Sequence, residues 1–390
     1  MDSYSTAPTA PQLAQVKGAI DTYLQSIDAH PDRRSGAYPY YQFHQPGQPI
    51  HGTVMIFHGF SARPHQMWRL SSYLFENGFN VYQCTLAGHS LIPPARHWPQ
   101  VHMKREYAEP LKQKVQADRV LGPLMENFYK RPDSFTESRF TRRAALLARL
   151  LLIEPRLLDM KRAIERPHDP DFDRYFESNH MDYLGDAQAR LAELEAMPGP
   201  IYTVGLSVGG AVALGLAAAA PNRIKKVVAY APLLETYGAD QRQYVELTGP
   251  LNLTEIGWDP DLLYPVACLT AADRFGGSYV RSQASIQTLR SIPTFLVLTE
   301  NEDAADITTN QDFFEAIGGH GCGHRTYLYP ADAMVPHPMV DPTEVSQAMS
   351  NQFWQSLYQE TWRFLRQGEV DLNNMASLDP SPQLPPVPAV

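Results

Sequence analysis

The stretch PGPIYTVGLSVGGAVALG, residues 198–215, leaves the chain few folds to choose from. A β-branched and aromatic run, Ile201–Leu206, enters it. An Ala-rich run over 210–220 leaves it and stops at Pro221. The first has the character of a buried strand, the second that of a buried helix. Only a tight turn separates them. Such a turn presses backbone against backbone, so a Cβ on either flank would clash, and Gly205, Gly209 and Gly210 meet that need. Ser207, at the apex, is driven into a strained conformation that lifts its hydroxyl above the sheet. The helix behind it points unpaired N–H groups and a positive dipole end at the same spot, which suits an oxyanion. The plainer reading is a Gly-rich strand–helix turn with an N-cap serine. Other parts of the chain have to decide between them.

The same alternation recurs along the sequence. Strand-like runs are read at 38–45, 52–59, 79–86, 201–206, 225–232, 292–300 and 324–330. Helical patterns are read at 12–27, 65–78, 210–220 and 310–319, with a long amphipathic closing helix over 342–368. This order predicts an α/β fold: a mostly parallel central sheet with helices on both faces. Two gaps break the rhythm, and both are helical and aromatic in character. They read as insertions on one face of a single sheet. The expected organisation is an N-terminal extension over 1–35, one domain over 36–370, and a Pro-rich disordered tail over 371–390. Within the domain the core is 36–95, 196–235 and 290–370, and the insertions are 96–195 and 236–289.

Composition excludes several classes. A formal net charge of -9 argues against a general attraction to nucleic acid. No apolar run approaches the roughly 20 residues that cross a bilayer. The opening MDSYSTAPTAPQLAQVKG lacks the basic start and apolar stretch of a secretory signal. Three cysteines, Cys84, Cys268 and Cys322, are too sparse for a disulfide framework and suit a reducing compartment. A cytoplasmic protein is expected.

MIFHGFSARPHQMWRLSSYLFENGFNVYQCTLAGHS (55–90) and GLSVGG (205–210) together resemble the α/β-hydrolase superfamily. Within it the style is closest to the carboxylesterase, monoacylglycerol-lipase and lysophospholipase group. The resemblance covers about 36–95, 196–235 and 290–366, and the insertions carry little of it. It implies the α/β-hydrolase fold with a helical lid and a Ser-His-Asp triad in the chain order serine, acid, histidine. Ser207 stands at the nucleophile. The two oxyanion N–H groups fall to Val208, after the serine, and to Phe60, after His58-Gly59. The His-Gly-aromatic form departs from the HGGG-type run, which makes tertiary-alcohol esters poorer candidates. His58 itself reads as a buried residue that holds its loop.

The base is expected on the loop after the last core strand. HRTYLYPADAMVPHPMVDP supplies His337 between Pro336 and Pro338, whereas His320 and His324 precede that strand on the wrong edge. The acid is expected after IPTFLVLTE, where Glu300, Glu302, Asp303 and Asp306 crowd one loop. Asp303 fits the family spacing best; Glu302 and Asp306 stay open. The acid's role is to accept the imidazole N–H and stabilise the imidazolium.

HGCGH (320–324) has no carboxylate or C-x-x-C partner nearby and reads as a Gly-rich turn rather than a metal site. No metal and no cofactor are expected. Cys84 reads as core, and His89 as structural or substrate-facing. The basic stretch over 138–167 reads as a lid helix whose apolar face covers an acyl pocket, with Pro155 kinking it or starting a second helix. Contact of its basic rim with anionic membranes is the weaker reading, against an ordinary cap helix with solvated arginines. The expected activity is hydrolysis of a small-molecule or lipid-like carboxylic ester with an apolar acyl chain, through an acyl-enzyme. The same machinery serves a thioesterase, amidase or acyltransferase, and a catalytically silent binding protein of this fold is the other class left open.

Overall fold

The computed structural model describes residues 6–121, 148–166, 168–238, 254–256 and 262–378. Eleven strands are found among them: β1 (Tyr40–Gln42), β2 (Thr53–Phe57), β3 (Asn80–Cys84), β4 (Val101–Met103), β5 (Phe176–Ser178), β6 (Ile201–Leu206), β7 (Ile224–Tyr230), β8 (Thr254–Ile256), β9 (Leu263–Pro265), β10 (Thr294–Thr299) and β11 (Arg325–Tyr329). Seven make one sheet in the order β1-β3-β2-β6-β7-β10-β11. Only β1 runs antiparallel to its neighbour; every other pairing in that sheet is parallel.

Each of β2, β3, β6 and β10 is buried along its whole length. That is the signature of a parallel sheet covered on both faces. Side chains alternate between two cores. Met55 and Phe57 of β2 join Leu13, Val16 and Ile20 of the Ala10–Asp28 helix and the buried side of the Val208–Ala219 helix. Val54 and Ile56 join Leu70 and Leu74 of the Trp68–Glu76 helix and Leu357 and Phe364 of the Trp354–Gln367 helix. The segment expected as an N-terminal extension therefore contributes a helix to the main core.

The insertions build separate structure. β4 pairs with β5 and β8 with β9, both antiparallel. Val101, Met103, Leu111, Val115, Leu157, Met160, Tyr175 and Phe176 form a core of their own, which Ala271 of the second insertion joins. The chain is helical over 148–153, turns at Pro155 and resumes as the Leu157–Glu165 helix. Proline ends one helix here and starts the next. Arg139, Arg142, Arg143, Leu146 and Leu147 of the expected lid lie outside the described residues.

Two expectations about the C-terminal region need correction. The closing helix is Trp354–Gln367, so it starts well after 342. Residues 342–353 form turns instead, with Gln347 and Ala348 at left-handed φ of 52° and 62°. Asp341 and Asn351 each accept a backbone N–H two residues on, from Thr343 and Phe353. Such local side-chain bonds compete with helix. The expected tail also begins too early: a short Leu372–Met375 helix packs back, with Met375 fully buried.

Candidate active site

Five adjacent parallel strands, β2, β6, β7, β10 and β11, end at one edge of the sheet. The candidate residues all sit on the loops that leave this edge. Backbone bonds tie those loops sideways. The Ser207 N–H donates to Tyr230 O at 2.9 Å, the Ala231 N–H to Val297 O at 2.8 Å, and the Leu233 N–H to Ser207 O at 3.0 Å. The Thr299 hydroxyl donates to Val335 O at 2.6 Å, two residues before His337.

Ser207 is buried and stands between β6 and the Val208–Ala219 helix at φ 57° and ψ −121°. A non-glycine residue there is strained, and strain of this kind persists only where the surroundings impose it. The imposition is steric. An added Cβ at Gly205 would run into the Gly209 carbonyl, and one at Gly209 into the carbonyls of Phe57 and His58. The Ser207 side chain makes no cap bond to its own helix. Val208 is the first helical residue, where an α-helix leaves its N–H without an intrahelical acceptor.

Phe60 follows β2 on the neighbouring loop. Its ring meets Trp98 at 5.5 Å and Tyr264 at 5.0 Å, both edge to face, and joins a small cluster with Leu262 and Cys268. Residues of both insertions thus close over this loop. His58 is fully buried: its Nδ1 faces Gly59 O at 2.7 Å and its Nε2 accepts the Leu86 N–H at 3.2 Å. Burial pulls its pKa down to about 3, so it stays neutral. His89 is buried as well, stacked on Trp98 at 3.6 Å.

His337 lies on the loop after β11. Its Nδ1 is 2.5 Å from Glu302 Oε1. The same Oε1 accepts the backbone N–H groups of Asp303, Ala304 and Ala305 at 3.1, 2.9 and 3.0 Å. Burial alone would lower the His337 pKa, but the charge and hydrogen bond of Glu302 outweigh it and raise it. Burial would likewise raise Glu302, but His337 and the backbone N–H groups hold it below the usual carboxylate value.

The structure therefore sets Glu302, not the expected Asp303, against His337. Asp303 is partly exposed and accepts from Gln347 Nε2 at 2.8 Å and the Ser346 hydroxyl at 3.4 Å. Asp306 caps the Ile307–Ala316 helix by accepting the Thr309 N–H at 2.8 Å. Glu300 accepts the Ala331 N–H at 2.9 Å. Spacing alone does not separate these four acids. What separates them is the folded turn, in which the N–H groups of Asp303, Ala304 and Ala305 all point at the Glu302 carboxylate.

Donor atoms of Glu302, Asp303 and His337 lie within 4.8 Å of one another, a spacing that could hold a divalent ion. Glu302 Oε1 already serves three N–H groups and faces the imidazole, the arrangement of a carboxylate that orients a base. His324 bonds the Thr294 N–H and Ile317 O inside the structure, so the HGCGH loop is a structural turn. Cys84 is buried in β3 and its thiol pKa is pushed well up by burial.

Among solved structures, a metagenome-derived lipolytic enzyme from a report on LipS and LipT superposes with a TM-score of 0.50 at 14% identity, over 85% of this chain and 98% of its own. The chain has the α/β-hydrolase fold. Other α/β-hydrolase structures align more loosely. A soluble variant of the Saccharomyces cerevisiae monoglyceride lipase has a TM-score of 0.46 at 12% identity, over 88% of this chain and 98% of its own. The Paleococcus ferrophilus monoacylglycerol lipase has 0.44 at 12% identity, over 85% and 99%. No family model and no curated protein matches the sequence. Among the described residues of this α/β-hydrolase fold, no helix is long and apolar enough to cross a membrane.

Proposed function

We propose that the chain is a serine hydrolase of carboxylic esters that works through an acyl-enzyme. The observation that carries this reading is the strained Ser207 at a strand–helix turn, on the same sheet edge as a buried His337–Glu302 pair. Glu302 takes Nδ1, which leaves Nε2 of His337 for the serine proton. Ser207 Oγ attacks the ester carbonyl as its proton passes to Nε2. The N–H groups of Val208 and Phe60 hold the tetrahedral oxyanion. His337 then returns the proton to the leaving alcohol, and next activates water to cleave the acyl-enzyme. Glu302 orients the ring and stabilises its charged form throughout. No step calls for a metal or cofactor.

The substrate is a small-molecule or lipid-like ester with an apolar acyl chain. Support comes from the aromatic and aliphatic surroundings of Phe60: Trp98, Tyr264 and Leu262. The insertions serve as a lid over the acyl pocket. Among the described residues of the basic stretch, Arg149 pairs with Asp118, Arg156 with Glu154, Lys161 with Glu165 and Arg162 with Asp159. For these side chains that favours a packed cap over a membrane-binding rim.

The test is hydrolysis of p-nitrophenyl esters from acetate to palmitate by wild type and Ser207→Ala, with fluorophosphonate labelling alongside. Turnover and labelling that vanish in the variant are expected, and the preferred chain length sizes the pocket. Equal inertness of both proteins, with no labelling of wild type, would sink the reading.

A further inference from the structure

Gln66 stands at the meeting of three chain segments. It lies on a short turn, Pro64–Met67, that leads into the Trp68–Glu76 helix. Its Oε1 accepts the Gly59 N–H at 2.8 Å, and its Nε2 donates to both carboxylate oxygens of Glu344, at 3.0 and 2.9 Å. Gly59 is the residue before Phe60. Glu344 belongs to the 341–353 turns that follow the His337 loop. A second bridge runs parallel to the first: Arg69 Nε donates to Asp341 Oδ1 at 3.2 Å, with both side chains buried. The fit against Gly59 is close, since an added Cβ there would come within 3.1 Å of Gln66 Oε1.

We infer that Gln66 and Glu344 are positioning residues for the oxyanion loop, a clamp that fixes Phe60 N–H and ties that loop to the segment carrying His337. The inference rests on the serine-hydrolase reading and deepens it. The physical argument is directional. The Gly59 N–H is buried and needs an acceptor. Gln66 Oε1 supplies one, which turns that peptide inward and leaves the next N–H, on Phe60, to face the reacting oxygen. The amide can hold this orientation only because a carboxylate receives its other end. When ionised, the Glu344 carboxylate is a charge-assisted acceptor and holds the donor more firmly than a neutral group would. Glu344 is therefore the anchor and Gln66 the arm.

The surroundings make the anchor sensitive to pH. Burial pushes the Glu344 pKa up to about 8, Asp341 adds to the rise, and Gln66 and His337 oppose it. The other titratable groups facing it are Tyr358 on the closing helix and, through Asp341, Arg69 and His65.

The experiment compares wild type, Gln66→Met, Glu344→Gln and Ser207→Ala on the best p-nitrophenyl ester. Thermal melts establish that each is folded. Loss of a clamp on a transition-state contact lowers kcat by about tenfold or more while KM changes little, because the substrate carbonyl gains its oxyanion contact only on reaction. Binding of a trifluoromethyl ketone, which forms an oxyanion on Ser207, weakens by a similar factor. Glu344→Gln also removes an ionisation near pH 8 from the kcat profile; a merely structural glutamate would leave the profile unmoved. Should Gln66→Met fail to fold, the Glu344→Gln profile and the ketone affinity decide. Wild-type kcat, ketone affinity and pH profile in Glu344→Gln, with Ser207→Ala inactive, overturn the clamp alone. Full activity in Ser207→Ala overturns the serine-hydrolase reading and the clamp with it.

Discussion

Glu302 Oε1 faces His337 Nδ1 at 2.5 Å and is held there by three successive backbone N–H groups, while the carboxylate of the next residue, Asp303, is held by Gln347. Two adjacent acids thus have separate work. Glu302→Gln removes the charge that orients and stabilises the imidazolium, and a loss of about a thousandfold in kcat is expected. Asp303→Asn keeps its contact to Gln347 and leaves kcat close to wild type. Steady-state kinetics on the two variants check this, and the reverse ranking would return the acid's role to Asp303.

The same pair sets the acid limb of activity. The base must be neutral to take the serine proton, and Glu302 raises the His337 pKa above 6.5. Activity therefore rises with pH through a value above 6.5 in wild type. Without the charge of Glu302, burial is left to lower the pKa, so the residual activity of Glu302→Gln has its limb at lower pH. A kcat/KM profile of both proteins reads the shift, and a limb that moves upward would contradict it.

The strands could be read from the sequence because each is a short apolar run closed by a turn residue, as in TVMIF before His58-Gly59 and IYTVGL before Ser207. The serine turn and the Pro-His-Pro loop carry local signals of their own. The acid does not. Glu302, Asp303 and Asp306 share one loop, and what separates them is which backbone N–H groups curl round which carboxylate, a property of the folded turn. The pattern that extends the closing helix back to 342 misleads for a related reason. Residues 342–353 have a polar and apolar alternation that fits a helix, but Asp341 and Asn351 divert the backbone into turns, and those turns bring Glu344 and Gln347 to the site.

Backbone crowding at the serine turn gives a sharp contrast among glycines. An added methyl at Gly205 or Gly209 meets carbonyl groups that cannot move without shifting β2 or the serine itself. Each alanine variant is expected to cost above about 4 kcal/mol, at the severe end for single substitutions. Gly185 sits within the Asp182–Glu193 helix with nothing within 4 Å of an added Cβ. Gly185→Ala should stabilise by about 0.5–1 kcal/mol, from helix propensity. Urea unfolding of the three variants checks the order, and a tolerated Gly209→Ala would count against the tight turn.

His58 offers a test of structure independent of chemistry. Its ring satisfies both Gly59 O and the Leu86 N–H, so His58→Ala leaves two buried groups unpaired, at about 1–3 kcal/mol each. The sign of the pH effect follows from its lowered pKa of about 3 against 6.5 unfolded. Below pH 6.5 the unfolded chain binds a proton that the folded chain refuses. Stability from this group is therefore intact above 6.5 and is lost as pH falls toward 3, with a slope of about 1.4 kcal/mol per pH unit. His89 contributes a slope of the same sign, because burial also holds its pKa well below 6.5. The difference between wild type and His58→Ala isolates one proton. Wild type should lose its advantage steadily between pH 6 and pH 4 in urea titrations. A constant advantage across that range would mean that His58 carries a proton in the folded protein.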